Sequence, residues 1–480
     1  MGLMDSTKSS RWVTSVGFTV LSLVPSLAFT AEVTASIRVG ASHSDNIYLD
    51  TSSNEIDDII YRASPSLGIT HTSPSLDANL RYQLDWYQYD DEDATETYHM
   101  GEGSLTGKLF NEALQVEIGA SRYQTLRDQD DIQSDYLPLT NNLVDRDEFY
   151  ANPRVVTKLS KAVTLSTDYR YTEGDYDDPD IQDDTSHHAS FSLENYAAGS
   201  GLTWALRYDG RKTEYDISRE WEYQQASAEL GFWVNGSTRV FASGGEESPW
   251  DEPFNSSLED TFWEAGLAYE GGNRLSAEVA AGERSFGTSW RGNLEYTFAR
   301  GRTAASYSQT PTTTAFDQSN GQRGVPDPDD PDDLGDLDEF LDVPGQDERY
   351  LSKRLDWSLY LDFRRTSFSL VLFDEDREDR IQADGTLLDN QAQRGVSADF
   401  SWQAGVRTAF VVFGSIIHRE SGADNEQDYN RVGIGVNYDL GRRTQVSLDY
   451  AYDEQEPTGS NSTSRDYKSN VISLFFTLTM

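Results

Sequence analysis

The sequence contains no cysteine. That excludes disulfides, thiolate catalysis, Cys-type metal sites and anchoring through a lipid-modified cysteine. Positive charge is also scarce: 39 Lys and Arg stand against 82 Asp and Glu, for a formal net charge of -43. Nucleic acid is excluded as a partner by that balance, because phosphate binding needs a basic surface. Hydrophobic residues make up only 37% of the 480 residues. Past the N-terminus there is no continuous apolar run of the ~20 residues that a spanning helix needs. Aromatic residues nevertheless reach 12%. Low hydrophobicity with many aromatics suits a membrane barrel, whose strands need one apolar face and whose two interfaces carry aromatic girdles.

The N-terminus reads as an export signal. Lys8 and Arg11 precede a short apolar run from Trp12 to Val24, Pro25 ends it, and Ser26-Leu27-Ala28 offers small residues for a peptidase. Residues 1–28 are expected to be a cleaved signal peptide, with cleavage after Ala28.

The rest is dominated by a period of two. Leu80, Tyr82, Leu84 and Trp86 interleave with Arg81, Gln83 and Asp85, and Leu355, Trp357, Leu359 and Leu361 interleave with Asp356, Ser358, Tyr360 and Asp362. Alternate side chains of a strand point to opposite faces, so each segment has one apolar and one polar face. A soluble sandwich would alternate too, but connection length separates the two. Short turns at 73–75, 235–237, 271–273, 300–302, 364–366 and 441–443 alternate with longer connections around 44–58, 125–147, 174–184, 246–260, 314–347, 375–390, 420–427 and 453–465. Tight turns on one side and long loops on the other are the outer-membrane pattern. The expectation is an all-β chain, a single antiparallel up-and-down barrel over 29–480 with about 22 strands (about 18 to 24 accepted). Its acidic connections should face outward, above all 314–347 with Pro326-Asp327-Pro328-Asp329-Asp330-Pro331-Asp332-Asp333. Ile472, Leu474, Phe476, Leu478 and Met480 form a final apolar series like the assembly signal of outer-membrane barrels, ending in methionine where an aromatic is usual.

Three segments carry a family resemblance: Ser44-Asp45-Asn46-Ile47-Tyr48-Leu49, Ser64-Pro65-Ser66-Leu67, and Ser306-Tyr307-Ser308-Gln309-Thr310-Pro311-Thr312-Thr313-Thr314. With the strand organisation they resemble the outer-membrane β-barrel family associated with PEP-CTERM/exosortase systems. The resemblance implies a porin-type barrel that accompanies exopolysaccharide production. It implies as partners outer-membrane lipid and lipopolysaccharide, the barrel-assembly machinery, and exopolysaccharide with its periplasmic export components.

Catalytic chemistry is not legible. None of the histidines, His43, His71, His99, His187, His188 and His418, sits in a zinc motif. Gly287-Thr288-Ser289-Trp290-Arg291-Gly292 only mimics a nucleophile elbow, because the alternation places Ser289 on a strand. No enzyme activity and no cofactor is expected. The acidic loops could bind divalent cations weakly, but their aspartates lack the calcium-loop pattern, and solvated charge is the favoured reading. Extending the alternation assigns Arg81, Asp85, Asp168, Arg170, Arg207, Asp209, Arg211, Arg291, Glu295, Asp356, Asp362, Arg364, Arg431 and Asp449 to the lumen. Such a mixed wall serves equally as a polar passage or as an internal ion-pair brace.

Overall fold

The computed structural model describes residues 31–127, 137–195, 201–216, 220–248, 261–272, 274–319, 348–382, 385–422, 425–459 and 464–480. The expected signal peptide and the 326–333 acidic run lie outside the described residues.

Twenty-two antiparallel strands follow one another around a single sheet. They are β1 (Glu32–Ser44), β2 (Asp58–Thr72), β3 (Leu76–Tyr89), β4 (Thr95–Leu109), β5 (Leu114–Leu126), β6 (Leu143–Lys158), β7 (Val163–Tyr176), β8 (Asp184–Asn195), β9 (Leu202–Tyr215), β10 (Trp221–Trp233) and β11 (Thr238–Ser248). The series continues with β12 (Thr261–Gly271), β13 (Leu275–Arg284), β14 (Gly287–Phe298), β15 (Gly301–Thr313), β16 (Glu348–Asp362), β17 (Thr366–Gln382), β18 (Gln391–Gln403), β19 (Thr408–Ser421), β20 (Glu426–Asp439), β21 (Thr444–Pro457) and β22 (Tyr467–Thr479). One short helix, α1 (Thr314–Ser319), follows β15. No helix among the described residues is long and apolar enough to cross a membrane.

The sheet closes where β1 pairs with β22, from Ser36 opposite Thr479 to Ser44 opposite Val471. Closure leaves no strand edge unpaired, which a hydrocarbon environment requires of any spanning sheet. Ile472, Leu474, Phe476 and Leu478 all stand on the outer face of β22, while Val471, Ser473 and Phe475 are buried on the inner face. Met480 lies just past the strand, its N–H donating to the Ala35 carbonyl.

The start of β1 and the end of β22 sit with the short connections, which are 73–75, 110–113, 159–162, 196–201, 234–237, 272–274, 299–300, 363–365, 404–407 and 440–443. The other end carries the longest connections, although 90–94, 216–220 and 422–425 are no longer than some short turns and one connection is shorter still. β13 and β14 are joined by Ser285-Phe286 alone, a reversal that needs Gly287 at φ 111.

Strands run from 10 to 17 residues, against the ~9–11 that cross a bilayer. The surplus lies at the long-connection end and corrects several sequence boundaries. The 375–390 connection begins only after Gln382, so Glu375 and Arg377 belong to β17 and face inward, buried. Likewise β5 extends to Leu126, β11 to Ser248 and β21 to Pro457. Alternation continues through these stretches, as in Phe373, Glu375 and Arg377, although their charge density resembles that of a loop.

Candidate functional site

The inner wall repeats a small unit made of glycine, an aromatic ring and an arginine. On β22 Phe475 lies over Gly40 of the neighbouring β1, so close that a Cβ there would stand 2.4 Å from the ring. The Arg38 guanidinium stands over that ring at 4.0 Å from its centre. The same arrangement joins Tyr150 with Gly119 and Arg170, Phe241 with Gly266 and Arg239, Phe373 with Gly395 and Arg354, and Phe413 with Gly433 and Arg431. A glycine lets the ring lie flat across the adjacent strand, and the flat ring offers its negative face to the cation.

A carboxylate completes most of these units. Arg239 binds Glu229 at 2.6 Å, Arg354 binds Asp356 at 2.9 Å, Arg431 reaches Asp453 at 3.6 Å, and Arg170 reaches Glu148 at 3.8 Å. Neighbouring units fuse into a chain of alternating sign: Arg207 and Arg239 share Glu229, Arg239 and Arg291 share Glu278, and Arg291 also binds Glu264. The charges are thereby held against the wall and neutralised in place.

The residues assigned to the lumen from alternation distribute as follows. Arg81 projects into open space, 4.0 Å from Glu102. Asp85 is buried against Arg62. Asp168 accepts from the Asn152 amide at 2.9 Å. Asp209 bridges His188 at 2.7 Å and Arg211 at 2.9 Å. Glu295, on inward β14 two residues past Asn293, is exposed, as is Asp362 at the end of β16. Asp449 stands on the same face of β21 as the buried Asp453. Arg364 is not on the wall: it occupies the short turn Phe363-Arg364-Arg365. A strand alternation cannot be carried into a turn, where the backbone reverses.

The lumen residues read from the sequence include the fully buried Asp85 but omit several other deeply buried charges. Glu375 receives Arg377, Ser352 and Gln393, and Glu348 holds Arg380 at 3.0 Å. Glu247 anchors Arg284 at 2.8 Å, while Arg284 also donates to the Tyr223 hydroxyl. The available signal was the series Phe373, Glu375, Arg377 at spacing two.

Burial of inward side chains rises toward the long-connection end. Along β3 the sequence Arg81, Gln83, Asp85 passes from exposed to buried, and along β22 Thr479, Thr477, Phe475 does the same. Two features narrow that end. In the first, the 45–57 and 137–142 connections tuck inward. Ile47 packs in a cluster with Ile60, Tyr89, Leu126, Leu137 and Tyr429, and the Leu139 N–H donates to the Ile47 carbonyl at 2.6 Å. The Asn46 amide donates to the carbonyls of Asp50 and Lys468, and Asp45 accepts from Asn470, so this segment ties the β1–β22 seam.

In the second, strands six or seven places apart in the sheet touch. Trp221 and Tyr223 of β10 pack with Leu351 of β16 and Ile381 of β17, and the Arg349 guanidinium lies 4.9 Å from the Trp221 ring. The hydroxyls of Thr213 on β9 and Thr313 on β15 are 3.3 Å apart. Phe316 of α1 meets His188 at 5.4 Å and Arg211 at 4.4 Å. The start of the 314–347 connection thus turns into the barrel, where an external loop had been expected from its first residue.

His187 and His188 face opposite ways, the first bonded to Tyr169 outside and the second to Asp209 inside. Ser289 is on β14 and donates to Glu264. Among the described residues no cluster of His, Asp and Glu could hold a metal ion. In the 177–183 connection burial pushes the Asp183 carboxyl above its usual range; the Tyr176 N–H opposes this, and nearby Asp216 and Glu173 add to it.

No family model and no curated protein matches the chain. Solved structures do. A ferric enterobactin receptor mutant from Pseudomonas aeruginosa in complex with enterobactin is 12% identical with a TM-score of 0.51, covering 94% of this chain and 81% of that one. The ferric enterobactin receptor in complex with BCV-L6 is 10% identical with a TM-score of 0.50, at the same two coverages. At such identity the likeness is one of fold: this chain is a closed 22-stranded β-barrel of the outer-membrane type.

Proposed function

We propose that the protein is an outer-membrane channel tied to exopolysaccharide secretion or surface assembly, oriented with its short turns in the periplasm and its long acidic connections outside. The observation that carries the channel reading is the neutralised wall. Arginines and carboxylates pair side by side on the strands, and Arg81, Glu295 and Asp362 remain exposed toward the short-turn end. A wall of this kind hydrogen-bonds hydroxyl-rich solutes without imposing a strong field of one sign. The link to polysaccharide rests on the sequence resemblance of the Ser44–Leu49, Ser64–Leu67 and Ser306–Thr314 segments.

Deletion of the gene tests this reading. Loss of surface polymer with normal uptake of small sugars is the expected outcome. Unchanged polymer with reduced sugar uptake would favour a general porin for small hydrophilic solutes, the second reading that the same polar wall supports.

A further inference from the structure

The short turns differ sharply between the two halves of the rim. From β12 to β21, five successive turns carry Arg274, Arg300, Arg364, Arg365, Arg407, Arg442 and Arg443 and no acidic residue. All seven arginines are exposed. In the other half the turns carry Lys161 and Glu112 as their only charges. A contiguous basic arc is not a compositional accident in a chain with a net charge of -43. Neighbouring strands are about 4.8 Å apart, so successive turns are spaced by roughly 10 Å and the arc follows the rim for about 40 Å.

Three roles could explain it, and two fit poorly. Internal bracing fails because, among the described residues, none of the seven has an ion pair; Arg300 stacks on Phe363 at 5.5 Å. Binding of inner-leaflet headgroups fails on symmetry, since lipid surrounds the whole barrel. Exposed apolar turn residues meet it in both halves, Phe110 at 79% and Leu159 at 60% on one side and Val406 at 95% within the arc, so lipid contact does not account for arginines on one side alone. Attraction of an anionic cargo fails just inside the arc, where Glu295, Asp362, Asp399, Asp439 and Asp449 line the inner wall and would repel it.

We propose that the arginine arc is a docking surface for the acidic face of a periplasmic protein, held at the rim on the β12–β21 side. The inference rests on the orientation proposed above. Exposed charge of one sign steers a complementary partner and fixes its register, and the arc's one-sidedness gives the complex a defined azimuth.

The test is site-specific photo-crosslinking in living cells. A benzophenone amino acid is placed at position 406 or 441 within the arc, and at position 110 or 236 in the other half. The expected result is a discrete protein adduct from 406 and 441 only, whose crosslinked segment is rich in Asp and Glu. Its yield should fall tenfold or more in the R364E/R365E/R442E/R443E variant and persist when the same four become lysine. Heat-modifiable migration of each variant confirms that its barrel has folded. Adducts to phospholipid or to polysaccharide, equal yields around the rim, a crosslinked segment that is not acidic, or indifference to charge reversal would each overturn the proposal. Orientation is read separately from a Val406→Cys variant, whose thiol is the chain's only one. It should react with an impermeant maleimide only after the outer membrane is opened; reaction on intact cells would remove the orientation itself.

Discussion

The Arg62 guanidinium on β2 lies 3.0 Å from the Asp85 carboxylate on β3, with side-chain exposures of 2% and 0%. The Ser64 hydroxyl accepts from Arg62 and the Gln83 amide donates to Asp85, and the rings of Tyr87 and Phe475 flank the cation. Such a pair is far costlier to break than to replace, because removing one partner strands the other charge in a poorly solvated site.

Asp85→Ala should therefore destabilise the barrel by about 3 to 5 kcal/mol, whereas Arg62→Met combined with Asp85→Leu should cost much less. Urea unfolding of the protein in lipid vesicles measures both. Equal losses for the single and double variants would show that the charge pair is not what matters at this position.

The glycine–aromatic pairs make a steric prediction. A Cβ on Gly433 would lie 2.1 Å from the Phe413 ring. Gly433→Val should displace that ring and uncover Arg431, with a cost of about 1 to 3 kcal/mol as in other overpacked sites. Adding Phe413→Ala should recover part of it. The temperature at which the folded form disappears from an SDS gel reports the change, and a Gly433→Val barrel as heat-resistant as the parent would count against the packing described.

Contact across the barrel can be trapped, since no native thiol competes. Thr213→Cys with Thr313→Cys replaces hydroxyls 3.3 Å apart. Oxidation should link them rapidly without altering single-channel conductance, because the two walls already meet there. Slow or absent linkage would mean that β9 and β15 stand apart in the membrane.

Ion preference follows from where charge is left unpaired. Most inner arginines are neutralised in place and the unpaired arginines of the short-turn rim offset only part of the acidic excess, so the acidic connections should make the open pore modestly cation-selective in planar bilayers. The preference should shrink between 0.1 M and 1 M salt, as the screening length falls from ~10 Å to ~3 Å. Anion selectivity at low salt would contradict this account.

External protease on intact cells should cut within 314–347 and spare the turn at Ala299-Arg300. The reverse pattern would invert the orientation.

Period-two alternation, the position of the turns and the terminal apolar series were enough to indicate a closed barrel of about 22 strands, because a strand's two faces and a turn's composition are local properties. Alternation assigned Asp85, Asp168, Arg207 and Arg431 to the lumen; the structure sets Asp85 against Arg62, Asp168 against Asn152, Arg207 against Glu229 and Arg431 near Asp453. Strand ends were not legible, since a strand projecting beyond the bilayer keeps its ladder while its sequence turns loop-like; Glu375 and Arg377 show this. What touches what was decided by the tertiary structure alone. Arg62 meets Asp85 because the β2–β3 register sets them diagonally across one hairpin, while Thr213 meets Thr313 and Arg211 lies under Phe316 because the sheet's curvature brings together residues 100 and 105 positions apart. The arginine arc belongs to both levels. Each turn is plain in the sequence, but only closure in strand order sets the five side by side on one half of the rim, because adjacency around a barrel is fixed by strand pairing.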